Sequence, residues 1–148
     1  MYKHILIATD GSALADKGIA QGLSLAEQLS ARVTVLTVAE PMGDRAARVA
    51  MLGGVRDPVS LYDQRIDADM KERFAPIERR ASEHGIAFEL LHEVDVSPAK
   101  AIVRIAHLKQ CDVIVMSSHG HYGFRSLLLG SQSKDVLMHT TIPILVIR

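Results

Sequence analysis

Apolar positions along this chain alternate between two spacings. Residues 5–8, 33–38, 112–116 and 142–147 are short, almost continuously apolar runs, the pattern of strands covered on both faces of a parallel sheet. Between them, apolar residues return every three or four positions, as on one face of a helix. Residues 3–9 end at Asp10-Gly11-Ser12, the punctuation expected where a buried strand stops, with Ser12 as the N-cap of a helix. Ala15, Ile19, Leu23, Ala26 and Leu29 then mark a helix from Ala13 to about Ser30, and the β-branched stretch 32–38 predicts a second strand. Ala39 to Ser60 keeps no period and carries Pro41, Gly43, Gly53, Gly54 and Pro58, so it reads as a long excursion with one short helical piece at 45–52.

Ile66, Met70, Phe74, Ile77 and Ala81 form the inner stripe of a long helix from Leu61 to His84, kinked at Pro76 and ended by Gly85. Ile86 to Val94 is a third strand. Ser97-Pro98 starts a shorter helix to about Lys109, with Ala101, Ile102, Ile105 and Leu108 inward. A fourth strand at 112–117, a glycine-punctuated loop, a helix from Ser131 to His139 and a fifth strand at 142–147 complete the chain. Strict strand–helix alternation implies parallel strands joined by right-handed crossovers. The expected architecture is one α/β domain over residues 1–148: a doubly wound, Rossmann-like, five-stranded parallel sheet of order 3-2-1-4-5 with helices on both faces. Ligands of such sheets sit outside the carboxyl ends of the strands where strand order reverses. Ala8-Thr9-Asp10, Val38 and the loop from Ser117 are the segments that reach that edge.

Composition narrows the range of functions. Seventeen Lys plus Arg balance seventeen Asp plus Glu, which argues against the basic surface of a nucleic-acid binder. The apolar runs fall far short of the roughly 20 residues of a membrane span, and no signal sequence opens the chain. The single Cys111 cannot form an internal disulfide and suits a reducing, cytoplasmic setting, where it reads as a small buried filler.

The loop Met116-Ser117-Ser118-His119-Gly120-His121-Tyr122-Gly123-Phe124-Arg125-Ser126-Leu127-Leu128-Leu129-Gly130-Ser131 carries the chemistry. It joins a strand to a helix start through glycines, which allow close approach to an anion, and ends on helix N–H groups that attract negative charge. His119 and His121 lie in this loop without partner ligands at metal spacing. No Gly-x-Ser-x-Gly nucleophile elbow and no Gly-x-x-x-x-Gly-Lys-Ser/Thr phosphate loop occurs. A lone Asp10 and the ending Ile147-Arg148 also lack the acidic pair and late lysine of a receiver domain.

A first strand ending in Thr9-Asp10-Gly11-Ser12, followed late in the chain by Ser117-Ser118-His119-Gly120, nine residues and Gly130-Ser131, resembles the ATP-binding branch of the universal stress protein family across essentially the whole chain. That family's pattern is Gly-x-x-Gly, nine residues, then Gly-Ser or Gly-Thr. Ser117 stands where the first glycine belongs, and the other three places match. A second register starting at Gly120-x-x-Gly123 would put Ser133 at the third glycine, so the first register is preferred.

The resemblance implies an adenine and ribose side at Ala8, Thr9, Asp10 and Val38. It implies nucleotide contacts from Met116 and Ser117, and phosphates among Gly120, Gly130, Ser131 and Gln132, cradled by the N–H groups of 130–132. The implied ligand is ATP or ADP, with or without Mg²⁺, and the implied assembly is a homodimer through the terminal strand 142–147. Plainer roles exist for single residues: Asp10 as a turn cap, Gly130 as a helix entry, Val38 as core. The leading expectation is a cytoplasmic, homodimeric stress-response protein that holds ATP rather than consuming it. The alternatives are a slow ATPase or phosphotransferase using Asp10 or His119, and a protein-interaction module with a vestigial site.

Overall fold

The computed structural model describes residues 1–118 and 130–148. Its elements run β1 (His4–Thr9), α1 (Ala13–Leu29), β2 (Arg32–Ala39), α2 (Asp44–Leu52), α3 (Pro58–Glu83), β3 (Phe88–Val94), α4 (Pro98–Leu108), β4 (Val113–Ser117), α5 (Ser131–His139) and β5 (Ile144–Ile147). All strands are parallel, in the order β3-β2-β1-β4-β5. The order reverses between β1 and β4, because the chain steps outward through β2 and β3 before returning to the other side of β1.

Alternating side chains on each strand divide the core into two layers. Ile5, Ile7, Val33, Val35, Val113 and Val115 pack with Ile19, Leu23 and Ala26 of α1 and with Phe74 and Ala81 of α3. Leu6, Ala8, Leu36, Ile114 and Met116 face the other way, against Ile102, Ile105 and Ala106 of α4 and Val136 of α5. Contact between α1 and β1 is tight enough to exclude a side chain at Gly22, where a Cβ would stand 2.5 Å from Cδ1 of Ile7.

The structure differs from the sequence reading at several points. The short helical piece expected at 45–52 is α2, Asp44–Leu52, and the excursion ends earlier than expected because α3 already begins at Pro58. Asp57 caps it by accepting from the Ser60 N–H at 3.1 Å, and proline fits the first helical turn, where its missing N–H has no intrahelical partner to lose. The helix then continues through Pro76 to Glu83 as one element. Leu108 is 70% exposed rather than inward, because the buried stripe of α4 ends on Ile105 and Ala106. The last strand spans only Ile144–Ile147, because Pro143 has no N–H to place in a ladder and the Ile142 N–H is taken by the Thr140 hydroxyl at 3.1 Å.

Candidate functional site

Thr9 ends β1 with its hydroxyl accepting from the Gly11 N–H at 3.1 Å. Asp10 accepts from the Ser12 N–H at 2.9 Å, and the Ser12 hydroxyl in turn caps α1 by accepting from the Ala15 N–H at 3.2 Å. Gly11 has φ +77°, a conformation that side-chain-bearing residues rarely adopt. A Cβ there would also stand 2.9 Å from Nη1 of Arg73, so this α3 guanidinium lies directly against the turn. The turn that presents Asp10 is therefore locked by three side-chain bonds to backbone and by a contact from α3. Asp10 is exposed at the sheet edge, whereas Ala8 and Thr9 are buried beneath it.

Register places the other candidates at the same edge. Thr9 stands beside Thr37, which precedes the half-buried Val38, and Ala8 stands beside Met116, which precedes Ser117. The two described ends of the glycine loop meet: the Gly130 N–H donates to the Ser118 carbonyl at 2.8 Å, and the Ser118 N–H donates to the Ile147 carbonyl at 2.8 Å. Gly130 is then the N-cap of α5 and brings no side chain to cap it. The first N–H groups of any α-helix lack intrahelical acceptors, so α5 opens with exposed Ser131 and Gln132 presenting donors beside the β1–β4 reversal.

One expectation changes. The Gly130 N–H is spent on closing the loop, so an anion cradle at this helix rests on Ser131 and Gln132 rather than on all of 130–132. Gly120, His119 and His121 lie outside the described residues. The structure thus brings Ala8, Thr9, Asp10, Val38, Met116, Ser117, Gly130, Ser131 and Gln132 to the carboxyl ends of the strands.

Further residues at this edge went unread in the sequence. Ser133 is buried and its hydroxyl donates to the Ser117 carbonyl at 3.0 Å, which gives it a structural task that a loop glycine could not perform. Thr37 and His92 are register partners on β2 and β3, joined by a 2.8 Å contact between Oγ1 and Nδ1. A polar residue inside the apolar run 32–38 was the available signal for Thr37. Burial holds the His92 imidazole below its usual range, against the opposing pull of the Asp67, Asp63 and Glu93 charges.

Two other features carry less chemistry. A hollow of about 570 Å³ opens at the far end of the sheet, lined in part by Lys3, Arg32, His84 and Gln110. It lies where α1, α3 and α4 end, and the negative ends of helix dipoles disfavour phosphate there. Cys111 is buried, and burial pushes its thiol up to about 11, far from a reactive thiolate. Among the described residues no three His, Cys, Asp or Glu side chains converge as a metal site.

Comparison with known proteins bears on the family and the fold. The sequence profile of the universal stress protein family matches residues 1–148. Universal stress protein MJ0531 of Methanocaldococcus jannaschii is 28% identical over 100% of this chain and 83% of its own length. Among solved structures, MJ0577, a universal stress protein of the same organism, superposes with a TM-score of 0.81 at 24% identity, covering 99% of this chain and 96% of that one. An Archaeoglobus fulgidus universal stress protein in complex with dAMP superposes with a TM-score of 0.65 at 20% identity, covering 99% and 98%.

Proposed function

This chain belongs to the universal stress protein family, and from that premise we propose that it is a cytoplasmic, homodimeric regulatory protein that binds ATP or ADP at the carboxyl edge of its sheet. The observation that carries the reading is the closure of Gly130 onto Ser118, which sets the uncapped start of α5 beside the strand-order reversal. The complex of a structural neighbour with dAMP supports an adenine nucleotide as the ligand class.

In this reading the base and ribose lie against Ala8, Thr9, Asp10 and Val38, with Met116 and Ser117 beneath the middle of the ligand. Gly120, Gly130, Ser131 and Gln132 surround the phosphates, and the Ser131 and Gln132 amides with the α5 dipole hold their charge. Phosphates would bring Mg²⁺ with them, since the described residues offer no cluster of their own for it. Asp10 is engaged by its own turn, which favours holding over hydrolysis: a carboxylate that orders the backbone is a poorly placed general base.

The dimer in this reading is supported by the position of β5, which pairs with β4 on one side and ends the sheet on the other. Leu145 on this edge is 39% exposed, and an open apolar strand edge is a template for a second copy. Calorimetric titration of the folded protein with ATP and with ADP tests the proposal. One site per chain is the expected result, and an absence of heat from both nucleotides, with no bound nucleotide released on denaturation, overturns it.

A further inference from the structure

We propose that Thr37, His92 and Asp63 form a proton-driven latch that draws the first half of α3 onto the end of the sheet beside Val38. Thr37 and His92 already hold each other across β2 and β3 through Oγ1 and Nδ1 at 2.8 Å. The opposite ring nitrogen, Nε2, is buried without a hydrogen-bond partner among the described residues, and so is Oδ1 of Asp63 on α3. Buried polar atoms left in this state are uncommon in native proteins and destabilise them. Here the two unsatisfied atoms are complementary, a ring nitrogen able to donate and a carboxylate oxygen able to accept, on elements that pack against each other.

The first half of α3 can move at small cost. Between Val59 and Arg73 no residue is fully buried, and the anchors of the helix lie on either side of this stretch, at Pro58 before it and at Phe74 and Ala81 beyond it. A bond from the Tyr62 hydroxyl to the Glu40 carbonyl, at 3.1 Å, ties it to the end of β2. Few buried contacts are the signature of a segment with low local stability.

Charge supplies the drive. The charged groups that act on His92 are Asp67 and Asp63 from α3 and Glu93 from its own strand, all acidic. Arg104 of α4 is committed to Glu93 at 2.9 Å and Asp95 at 3.6 Å, and Lys71 of α3 is paired with Asp67 at 2.8 Å. A proton taken from solvent makes both ring nitrogens donors, one to Thr37 Oγ1 and the other to the Asp63 carboxylate. The second bond joins opposite charges and is stronger than its neutral counterpart. Falling pH therefore closes the latch, and closure moves α3 toward the residue that precedes Val38.

Amide hydrogen exchange on the full, ligand-free chain, expressed as protection factors and paired with an NMR titration of the His92 ring, tests this. Protection of the amides at 60–68 is expected to be about tenfold greater at pH 5.5 than at pH 7.5, the difference between a charge-assisted and a neutral bond. Asp63→Asn keeps the fold's packing and should flatten that response and lower the His92 midpoint, and His92→Gln should flatten it as well. A wild-type response that is already flat, or one that survives in Asp63→Asn, overturns the latch. No nucleotide enters the experiment, so its outcome is separate from that of the binding proposal.

Discussion

The Ser133 hydroxyl donates to the main-chain carbonyl of Ser117 across 3.0 Å, joining the first turn of α5 to the last residue of β4. Both residues flank the loop that the proposed phosphate site depends on, and Ser133 is 3% exposed, so the bond is shielded from competing water. Ser133→Ala is expected to cost about 1 kcal/mol of stability, the net worth of one buried hydrogen bond. Urea unfolding checks the cost, and calorimetry should show weaker ATP binding in the same variant, because the helix start is no longer held to the strand.

Gly130→Val separates binding from folding. Gly130 sits at φ −59° and ψ 155°, a conformation any residue adopts, so valine does not strain the backbone. A branched side chain beside the Ser131 and Gln132 amides should lower ATP affinity at least about tenfold, the loss of one charge-assisted contact. Circular dichroism should be unchanged. Wild-type affinity in this variant would move the phosphates away from α5.

At Gly22, helix propensity and packing make opposite forecasts. Alanine is favoured over glycine within a helix by about 1 kcal/mol. Yet a Cβ at Gly22 would lie 2.5 Å from Cδ1 and 2.8 Å from Cγ1 of Ile7, which is 0% exposed, so the buried isoleucine would have to shift. Packing should win, and Gly22→Ala should destabilise by about 1–3 kcal/mol in urea unfolding, as overpacked cores do. A stabilised variant would show that α1 stands further from β1.

Stability should fall with acid through His4. Burial first, and the Arg32 charge second, hold this imidazole below its ordinary value. Nδ1–H donates to the Lys109 carbonyl at 3.0 Å, and Nε2 lies 2.8 Å from Oγ1 of Thr34, whose hydroxyl donates to Glu89 at 3.2 Å. The unfolded chain therefore takes up its proton first, at about pH 6.5. The His4 contribution is complete above that pH and declines as pH falls toward the folded value. Urea midpoints measured between pH 8 and pH 5 should drop for the wild type more steeply than for His4→Gln, a comparison that leaves His92 in place on both sides.

Leu145→Glu tests the assembly. It puts a charge on the exposed position of the open β5 edge, which opposes pairing with another copy. Sedimentation should report a dimer for the wild type and a monomer for the variant, with secondary structure retained. A variant that stays dimeric would locate the interface elsewhere.

Most strand and helix positions were legible because burial imposes a period. Ile5 to Ala8 and Val113 to Met116 are apolar at consecutive positions, and Val33 to Leu36 at all but Thr34, because α1 and α3 cover one face of the sheet and α4 and α5 the other. The start of α3 was missed because the glycines and prolines of 39–60 suggested a loop, although Asp57-Pro58 carries the cap and first-turn proline of a helix. Leu108 was misplaced because periodicity does not say where a helix runs off the sheet that buries it.

The sequence by itself determined the parallel α/β architecture, the strand edge that carries Asp10, Val38 and Ser117, and the helix start at Gly130 and Ser131. Each of these rests on local chemistry: apolar period, cap residues and glycine spacing. Only the tertiary structure decided that the Gly130 N–H is consumed by Ser118, that Arg73 lies against Gly11, that Ser133 braces Ser117, and that His92 Nε2 and Asp63 Oδ1 are both buried without hydrogen-bond partners among the described residues. Those relationships join residues from different elements, where distance along the chain carries no information. They come from how strand register and helix packing place donors and acceptors in three dimensions.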